Sequence, residues 1–457
     1  MSYQGGSMNF GFDVNHYFCR KQIDVNRQIY RLAIPNIFTN LTVPLLGMVD
    51  MYLMGHQDSI HFMGGVSLGS VIFNFVYWGF AFLRMGMSGV AAQTFGRDDK
   101  EEMALVLERG MLIAIAGSLL LLALQVPLAN FSFWLLEGSQ EVKEIARGYY
   151  FVRIWAAPAA IALMVLYGWF LGMQNAIYPM LIAVTVNLVN VIASYIFVNR
   201  FHMQAEGVAL GSVVGQYSGL LLAILLFYKK YRALSSGFTL KLMPLLRNLK
   251  HFLNVSGDIF IRMLSIIAVF TFFTSRSAGI GDVVLAVNSA LLQYLFLFAY
   301  FLDGFAYAGE ALVGKFFGAR DKIRLQRTVV LLFRWGIGFA ILFSLLYAVM
   351  GKMLLGVFTD QAEVIEAGTR YLFWVVLIPL VSFGSFIWDG VFIGITASRA
   401  MRNSVFLSAL LFFFVPFYLL FPYLENHAIW VAMVLFMLSR SVMLTILYPK
   451  AIRKRFG

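Results

Sequence analysis

Cysteine is almost missing from this sequence: Cys19 is the single one among 457 residues. No disulfide within the chain, Cys-based metal site or thiol couple can be built from it. Charge is scarce as well. Asp, Glu, Lys and Arg make up 13% of the chain, where a soluble domain carries about 25%. Catalytic patterns are lacking too. There is no Walker loop, so nothing points to ATP hydrolysis. "RDDKEE", Arg97 to Glu102, is the only Asp-rich run; a polyprenyl-type transferase wants such motifs in pairs, and this one reads as a solvated turn and helix start. His56 and His61 in "HQDSIH" stand five apart with no further ligand nearby, which speaks against a metal site. The stretch from Met1 to Cys19 lacks the basic and apolar regions of a signal peptide, so the chain is expected to begin in the cytoplasm.

Apolar sequence is what the chain has in quantity, at 60% of its residues. Twelve runs lie roughly at 30–54, 63–88, 104–130, 147–170, 177–198, 207–228, 252–275, 283–305, 326–350, 370–393, 403–421 and 427–447. Each is long enough to cross the ~30 Å hydrocarbon core of a bilayer. No intervening loop exceeds about 25 residues, leaving no room for a separate soluble domain. The expected class is an all-α integral membrane protein with twelve transmembrane helices.

The net charge of +12 suggests nucleic acid until its distribution is followed. With the N-terminus inside and loops alternating, 24 of the 35 Lys and Arg fall on inside-facing segments and six on outside-facing ones. This is the positive-inside bias. It orients a multi-pass protein with both termini cytoplasmic, in contact with membrane lipids, and implies no nucleic-acid partner.

The longest basic loop, Lys229 to Lys250, divides the chain near its middle. A repeat spans it. "FLRMGMSGVAAQTFGRDD" begins at Phe82 and "FLDGFAYAGEALVGKFFGARD" at Phe301. Both end in Phe-Gly and a charged turn, with Gly96 in the first and Gly318 in the second. The expected organisation is a cytoplasmic segment 1–28, an N-lobe 29–235 with six helices, and a C-lobe 236–457 with six helices and a basic tail, the lobes related as parallel repeats. Transporters made of repeats bind their substrates near the midplane at the repeat interface.

Ionisable groups inside the spans stand out against this background, because they are costly in hydrocarbon unless solvated, paired or protonated. Asp50 is the only one between Leu32 and Met54, in the outer part of the first span, after Pro35 and Pro44. Each proline removes a helix hydrogen bond and tends to kink the helix. Hydration at the outer interface and a protonatable site in a cavity are both open to it. In the fifth span Asn187, Asn190 and Ser194 share one helix face, and Ser212 of the sixth can join them, as interhelical glue or as a shared pocket. In the second half Asp303, Tyr307 and Glu310 lie on one face, Asp258 and Arg262 form an i, i+4 pair, and Asp389 sits late in the tenth span. An internal salt-bridge network and transport chemistry both fit this set. Arg84, Arg153, Arg334 and Arg440 read as snorkelling or pairing residues. Met48, Phe75 and Trp78, with Asn187, are candidates for a cavity that accepts many shapes.

Five stretches then resemble a known family: "LAIPNIFTNLTVPLLGMVDMYLMGH", "FLRMGMSGVAAQTFG", "NLVNVIASYIFV", "FLDGFAYAGEALVGKFFGARD" and "WDGVFIGITASRAMRNS". The sequence is similar, from about Arg27 to Arg455, to the multidrug and toxic compound extrusion (MATE) transporters, in particular their DinF-like branch. The resemblance implies a V of two six-helix lobes around a central cavity, and exchange of H⁺ or Na⁺ for cationic, lipophilic drugs. It places Asp50 on the first-helix acid proposed as the proton site and Asn190 on an asparagine of the same pocket. Ser194 stands where many relatives have a second acid, and Ser212 where some have threonine. Asp389 matches a tenth-helix acid, whereas the seventh-helix glutamate of the Na⁺-coupled branch has no counterpart. The implied function is proton-coupled export of cationic or lipophilic compounds across the cytoplasmic membrane by a monomer, with no cofactor beyond the coupling ion and no enzyme activity. A Na⁺-coupled antiporter and a lipid-linked oligosaccharide flippase of the same superfamily are the alternatives. The flippase would want several Arg or Lys in its cavity to hold pyrophosphate.

Overall fold

The computed structural model describes residues 13–55, 60–237 and 249–456. His56 and residues 238–248 of the central basic loop, with Lys241 and Arg247, lie outside the described residues. Among the described residues, twelve helices are long and apolar enough to cross a membrane. We label them α1 (Val25–Met54, within a helix Asp13–Gly55), α2 (His61–Gly96), α3 (Lys100–Ala123), α4 (Gln140–Gly172), α5 (Ile177–Asn199), α6 (Gln204–Leu234), α7 (Leu253–Ile280), α8 (Asp282–Gly318), α9 (Lys322–Phe358), α10 (Leu372–Gly394), α11 (Ser398–Leu424) and α12 (Asn426–Arg453).

Two of these differ from the apolar runs for reasons of proline chemistry. The run at 104–130 overshoots: α3 stops at Ala123 and a short helix, Gln125–Leu135, follows. Pro127 has no N–H to offer the Ala123 carbonyl, so the helix cannot continue through it. In α4 a 3₁₀ turn, Ile154–Ala156, joins two α-helical pieces just before Pro158. By contrast α1 runs unbroken through Pro35, where Asn36 and Thr39 return side-chain hydrogen bonds to the Leu32 and Pro35 carbonyls at 2.7 and 2.9 Å.

The two halves repeat one another in detail. Backbone with positive φ occurs at Asp98 (57°) and Arg320 (56°), and at Gln174 (60°) and Thr396 (51°). Both pairs share one offset along the chain, the 222 residues that also separate Ser88 from Glu310. These left-handed residues close Schellman turns: the N–H of Asp99 donates to Thr94 O, Asp321 to Phe316 O, Asn175 to Phe170 O and Ala397 to Phe392 O, at 2.9–3.2 Å. Asp99 and Asp321 then cap α3 and α9 by accepting from Glu102 N and Arg324 N. The solvated turn read in "RDDKEE" is one half of this symmetric pair.

This constant offset also corrects the sequence repeat. It relates Gly96 to Gly318, as the motifs do, but it aligns Phe82 with Gly304 and not with the Phe301 that opens the second motif. The difference in motif length is therefore not an insertion. Contacts bear this out. A Cβ added to Gly168 of α4 would collide with the Arg84 carbonyl of α2, and one on Gly390 of α10 with the Ala306 carbonyl of α8. Helices approach this closely in membranes only where small residues allow it. α4 and α10 are accordingly the central helices of their halves, burying 78% and 67% of their apolar windows, more than any other span.

The halves meet along α2 and α8. Gly96 faces the Lys315 carbonyl and Gly318 the Gln93 carbonyl, so each repeat glycine abuts the other helix. The first half of α1 belongs to the core of the second repeat, with Ile29, Leu32 and Ala33 buried against Leu302 and Phe305, whereas Leu53 and Met54 at its far end pack with α2 and α4. Gly304 of α8 touches Ile37, and Phe82 of α2 meets Phe260 of α7 edge-on at 6.2 Å. These contacts between halves all lie toward the end of the bundle that carries the basic turns. By the positive-inside rule that end is called inner below, and the opposite end outer.

Candidate functional site

Asp50 occupies the outer half of α1 and is buried at 6% exposure. Among the described residues it makes no hydrogen bond, and its Oδ1 is enclosed without a partner. Asn190, Ser194 and Ser212 are also buried, but they turn to one another. Asn190 Nδ2 donates to Ser212 Oγ at 2.9 Å, and Ser194 Oγ to Asn190 Oδ1 at 3.4 Å. Asn187 leaves this group: it is half-buried and donates to the Thr42 carbonyl of α1 at 3.4 Å. The shared face read in the sequence therefore splits, because α5 packs against α6 on one side and α1 on the other. Counting outward from the Asn187–Thr42 contact, Ser194 stands seven residues on and Asp50 eight, which puts them at one depth in parallel helices.

The charge that reaches Asp50 comes from a residue read as snorkelling or pairing. Arg153 of α4 acts electrostatically on Asp50 and on the buried, unpartnered hydroxyl of Tyr77. Its guanidinium lies 5.3 Å from both the Phe73 and Tyr149 rings and donates to Ser70 Oγ at 3.4 Å. A mid-span arginine in the same half as a mid-span acid was the available signal. Met48, Phe75 and Trp78 are exposed, at 65%, 61% and 52%, so they face away from the packed interior, toward the cleft or lipid.

The second half holds a different kind of site. Asp389 of α10 receives two arginines, Arg262 of α7 and Arg440 of α12, the latter at 2.8 Å. Asp258 and Arg262, read as a pair, are not paired with each other. Asp258 instead binds Arg402 at 2.6 Å and Ser398 at 2.8 Å, because α7 packs along the start of α11, while Arg262 reaches across to Asp389 of α10. Glu310 of α8 is met across the lobe boundary: Arg84 of α2 reaches its two oxygens at 3.4 Å each, and Ser88 donates at 2.5 Å. The Arg84 guanidinium also stacks over Tyr307 at 4.0 Å. Among the described residues Asp303 has no direct partner, but it feels Arg84 and Arg262. The network drawn for the C-lobe alone thus includes α2. Arg84, which pairs with Glu310, was missed, as were Arg440 and Arg402, which pair with Asp389 and Asp258. Two acids on one face of the eighth span, with no base on that face, were the sign that a base had to come from another helix.

No group of three or more His, Cys, Asp or Glu among the described residues is arranged to hold a metal ion. His61 pairs with Glu141 at 3.0 Å. A cavity of about 300 Å³ between α7 and α11, lined by Leu264, Phe406 and Leu410 among others, is apolar and lies apart from both polar sites.

Twelve spans in two repeats, with buried ionisable groups between and within them, define a membrane transporter. The MatE family model matches residues 35–196 and again 259–419, one match in each repeat. The chain is 35% identical over 427 residues to "DNA damage-inducible protein F" of Escherichia coli K12, covering 93% of this chain and 92% of that protein. It is 25% identical to human "Multidrug and toxin extrusion protein 1" over 74% of this chain and 59% of that protein. The Vibrio cholerae MATE transporter VcmN in its bent form superposes with a TM-score of 0.82 at 17% identity, covering 95% of this chain and 99% of that one. Another MATE structure in the bent conformation reaches 0.84 at 18% identity, covering 94% and 96%. The chain belongs to the MatE family of multidrug and toxin extrusion transporters, and it is a multi-pass membrane transporter rather than an enzyme.

Proposed function

We propose that this chain is a proton-coupled antiporter that exports cationic or lipophilic small molecules across the cytoplasmic membrane, with Asp50 as the group that carries the proton. The observation that carries this is the environment of Asp50: a buried carboxyl with Oδ1 unpartnered, no ion pair among the described residues, neutral polar groups at its depth, and the Arg153 charge acting on it without a direct bond. An arginine partner favours the charged form of an acid, so one among neutral groups gains and loses a proton more readily. Asn190, Ser194 and Ser212 form the neutral wall of the site. The flippase alternative needs unpaired basic groups for pyrophosphate; Arg84, Arg262 and Arg440 are each engaged by Glu310 or Asp389. The two repeats supply both walls of the cleft, so one chain suffices as the working unit. The basic turns support a cytoplasmic position for both termini.

The test is drug–proton exchange in proteoliposomes with Na⁺ varied. Wild-type protein should exchange with a pH gradient alone, and Asp50→Asn should fold and insert but lose that exchange. Wild-type activity in Asp50→Asn, or a strict need for Na⁺, would remove Asp50 or the proton from the mechanism.

A further inference from the structure

The repeat offset places Ser88 of α2 and Glu310 of α8 at equivalent positions, 222 residues apart, and the two bond to each other. They lie on the outer side of the contact where Gly96 and Gly318 each touch the opposite helix. One turn from Ser88 toward the outside, Arg84 grips the same carboxylate with both arms. Glu310 therefore sits where the lobes join, at the floor of any cleft that opens outward between them. We infer that Glu310 and Arg84 form an inter-lobe latch at this floor, released when Glu310 takes up a proton.

The physical case starts from cost. Alternating access moves one repeat against the other. Parting α2 from α8 at the basic-turn end separates Arg84 from Glu310 and leaves two opposite charges apart in a poorly solvated site. A proton on Glu310 removes one of those charges and turns the ion pair into an ordinary hydrogen-bonded contact. The geometry suits release: both Arg84 nitrogens stand 3.4 Å from the oxygens, longer than the ~2.7–2.9 Å of a tight charge-assisted bond. Charged and titratable groups face Glu310 from several helices. Arg84 does so from α2; Asp303 and Tyr307 from its own helix; Arg262 from α7; and Asp389 from α10, backed by Arg440 of α12. Arg262 and Arg440 are taken by Asp389, so Arg84 is the cation that holds Glu310. A latch that opens by protonation from an outward cleft runs in the direction an antiporter needs, from outward-open with a proton to inward-open.

This rests on the antiporter reading and not on the role of Asp50. It is tested on the full chain in lipid nanodiscs, with Cys19→Ser and spin labels at Lys100→Cys and Lys322→Cys. Both lysines are exposed, one residue beyond the symmetric Asp99 and Asp321 caps. In the otherwise wild-type chain the label distance should lengthen as pH falls from mildly alkaline to mildly acidic. Glu310→Gln and Arg84→Gln should each fix the long distance at all pH. If either fails to fold, Ser88→Ala, which removes only a hydroxyl, is read instead and should raise the long-distance fraction. A wild-type pH response in Glu310→Gln or Arg84→Gln, or an unchanged distribution in Ser88→Ala, overturns the latch. Asp50→Asn with the same labels separates the two ideas: its exchange judges the coupling reading, and its label response should remain that of the wild type.

Discussion

The two polar regions of this protein handle buried charge in opposite ways. Toward the outer end, in the first repeat, one acid stands without an ion pair among the described residues, and its neutral neighbours satisfy one another. Toward the basic turns, three acids and three arginines interlock: Asp389 with Arg262 and Arg440, Glu310 with Arg84, and Asp303 within their field. Counted together, those six charges balance. The first arrangement leaves a proton free to come and go. The second makes each charge dependent on its partners and ties helices together. A solitary acid is machinery, and a neutralised cluster is a joint that moves only when one member changes state.

The comparison breaks or sharpens on stability first. Asp389→Ala leaves Arg262 and Arg440 buried against each other, and breaking a buried pair costs about 3–5 kcal/mol. A large fall in thermal stability of the purified protein is expected. Asp50→Asn should do the reverse, with stability changed by less than about 1 kcal/mol and pH-driven exchange lost. If both variants unfold alike, Asp50 is a scaffold residue and the contrast fails. A fusion of the two behaviours in Asp389→Ala, stable but inactive, would place proton chemistry in the second half.

Much of this was legible in the sequence, and the parts that were not share one cause. Twelve spans, two repeats and the buried acids follow from hydropathy and from the cost of charge in lipid, which act on each helix separately. Partner choice does not. Asp258 and Arg262 lie one turn apart and look like a pair, yet each is claimed by a neighbouring helix. Asn187 shares a face with Asn190 but meets α1 instead of α6. Arg84 joins an acid 226 residues away. The repeat itself was visible through Gly96 and Gly318, while the Phe-Leu starts misled, because backbone contacts fix the register whatever side chains the two motifs share. The matched left-handed turns and the close approach at Gly168 and Gly390 show it.

Arg153 is the next point of pressure, because it is the base whose field reaches the solitary acid. Its ring contacts with Phe73 and Tyr149, at 5.3 Å each, are worth about 1–2 kcal/mol when shielded from water. Arg153→Gln should cost that much thermal stability, and Arg153→Lys less. Exchange should change in Arg153→Gln while it is kept in Arg153→Lys. Equal exchange in the two variants would mean that the arginine packs near Asp50 without acting on it, leaving the acid more isolated than the contrast assumes.

The smallest expected effect belongs to Ser212→Ala. Asn190 donates to Ser212 at 2.9 Å, and its bond from Ser194 is longer at 3.4 Å. Removing the hydroxyl leaves the Asn190 amide short of an acceptor in a buried place, where interhelical hydrogen bonds in membranes are worth about 0.6–1.7 kcal/mol. α5 and α6 pack closely enough to keep their register without it, since even a Cβ on Gly211 would collide with Ser194. The variant should therefore fold, lose stability within that range and retain most of its exchange. The informative outcome is the ratio of the two readouts. A loss of exchange far larger than the loss of stability would show that the neutral trio shares the proton with Asp50, and the outer site would then be a hydrogen-bonded relay instead of a single acid beside a self-contained wall.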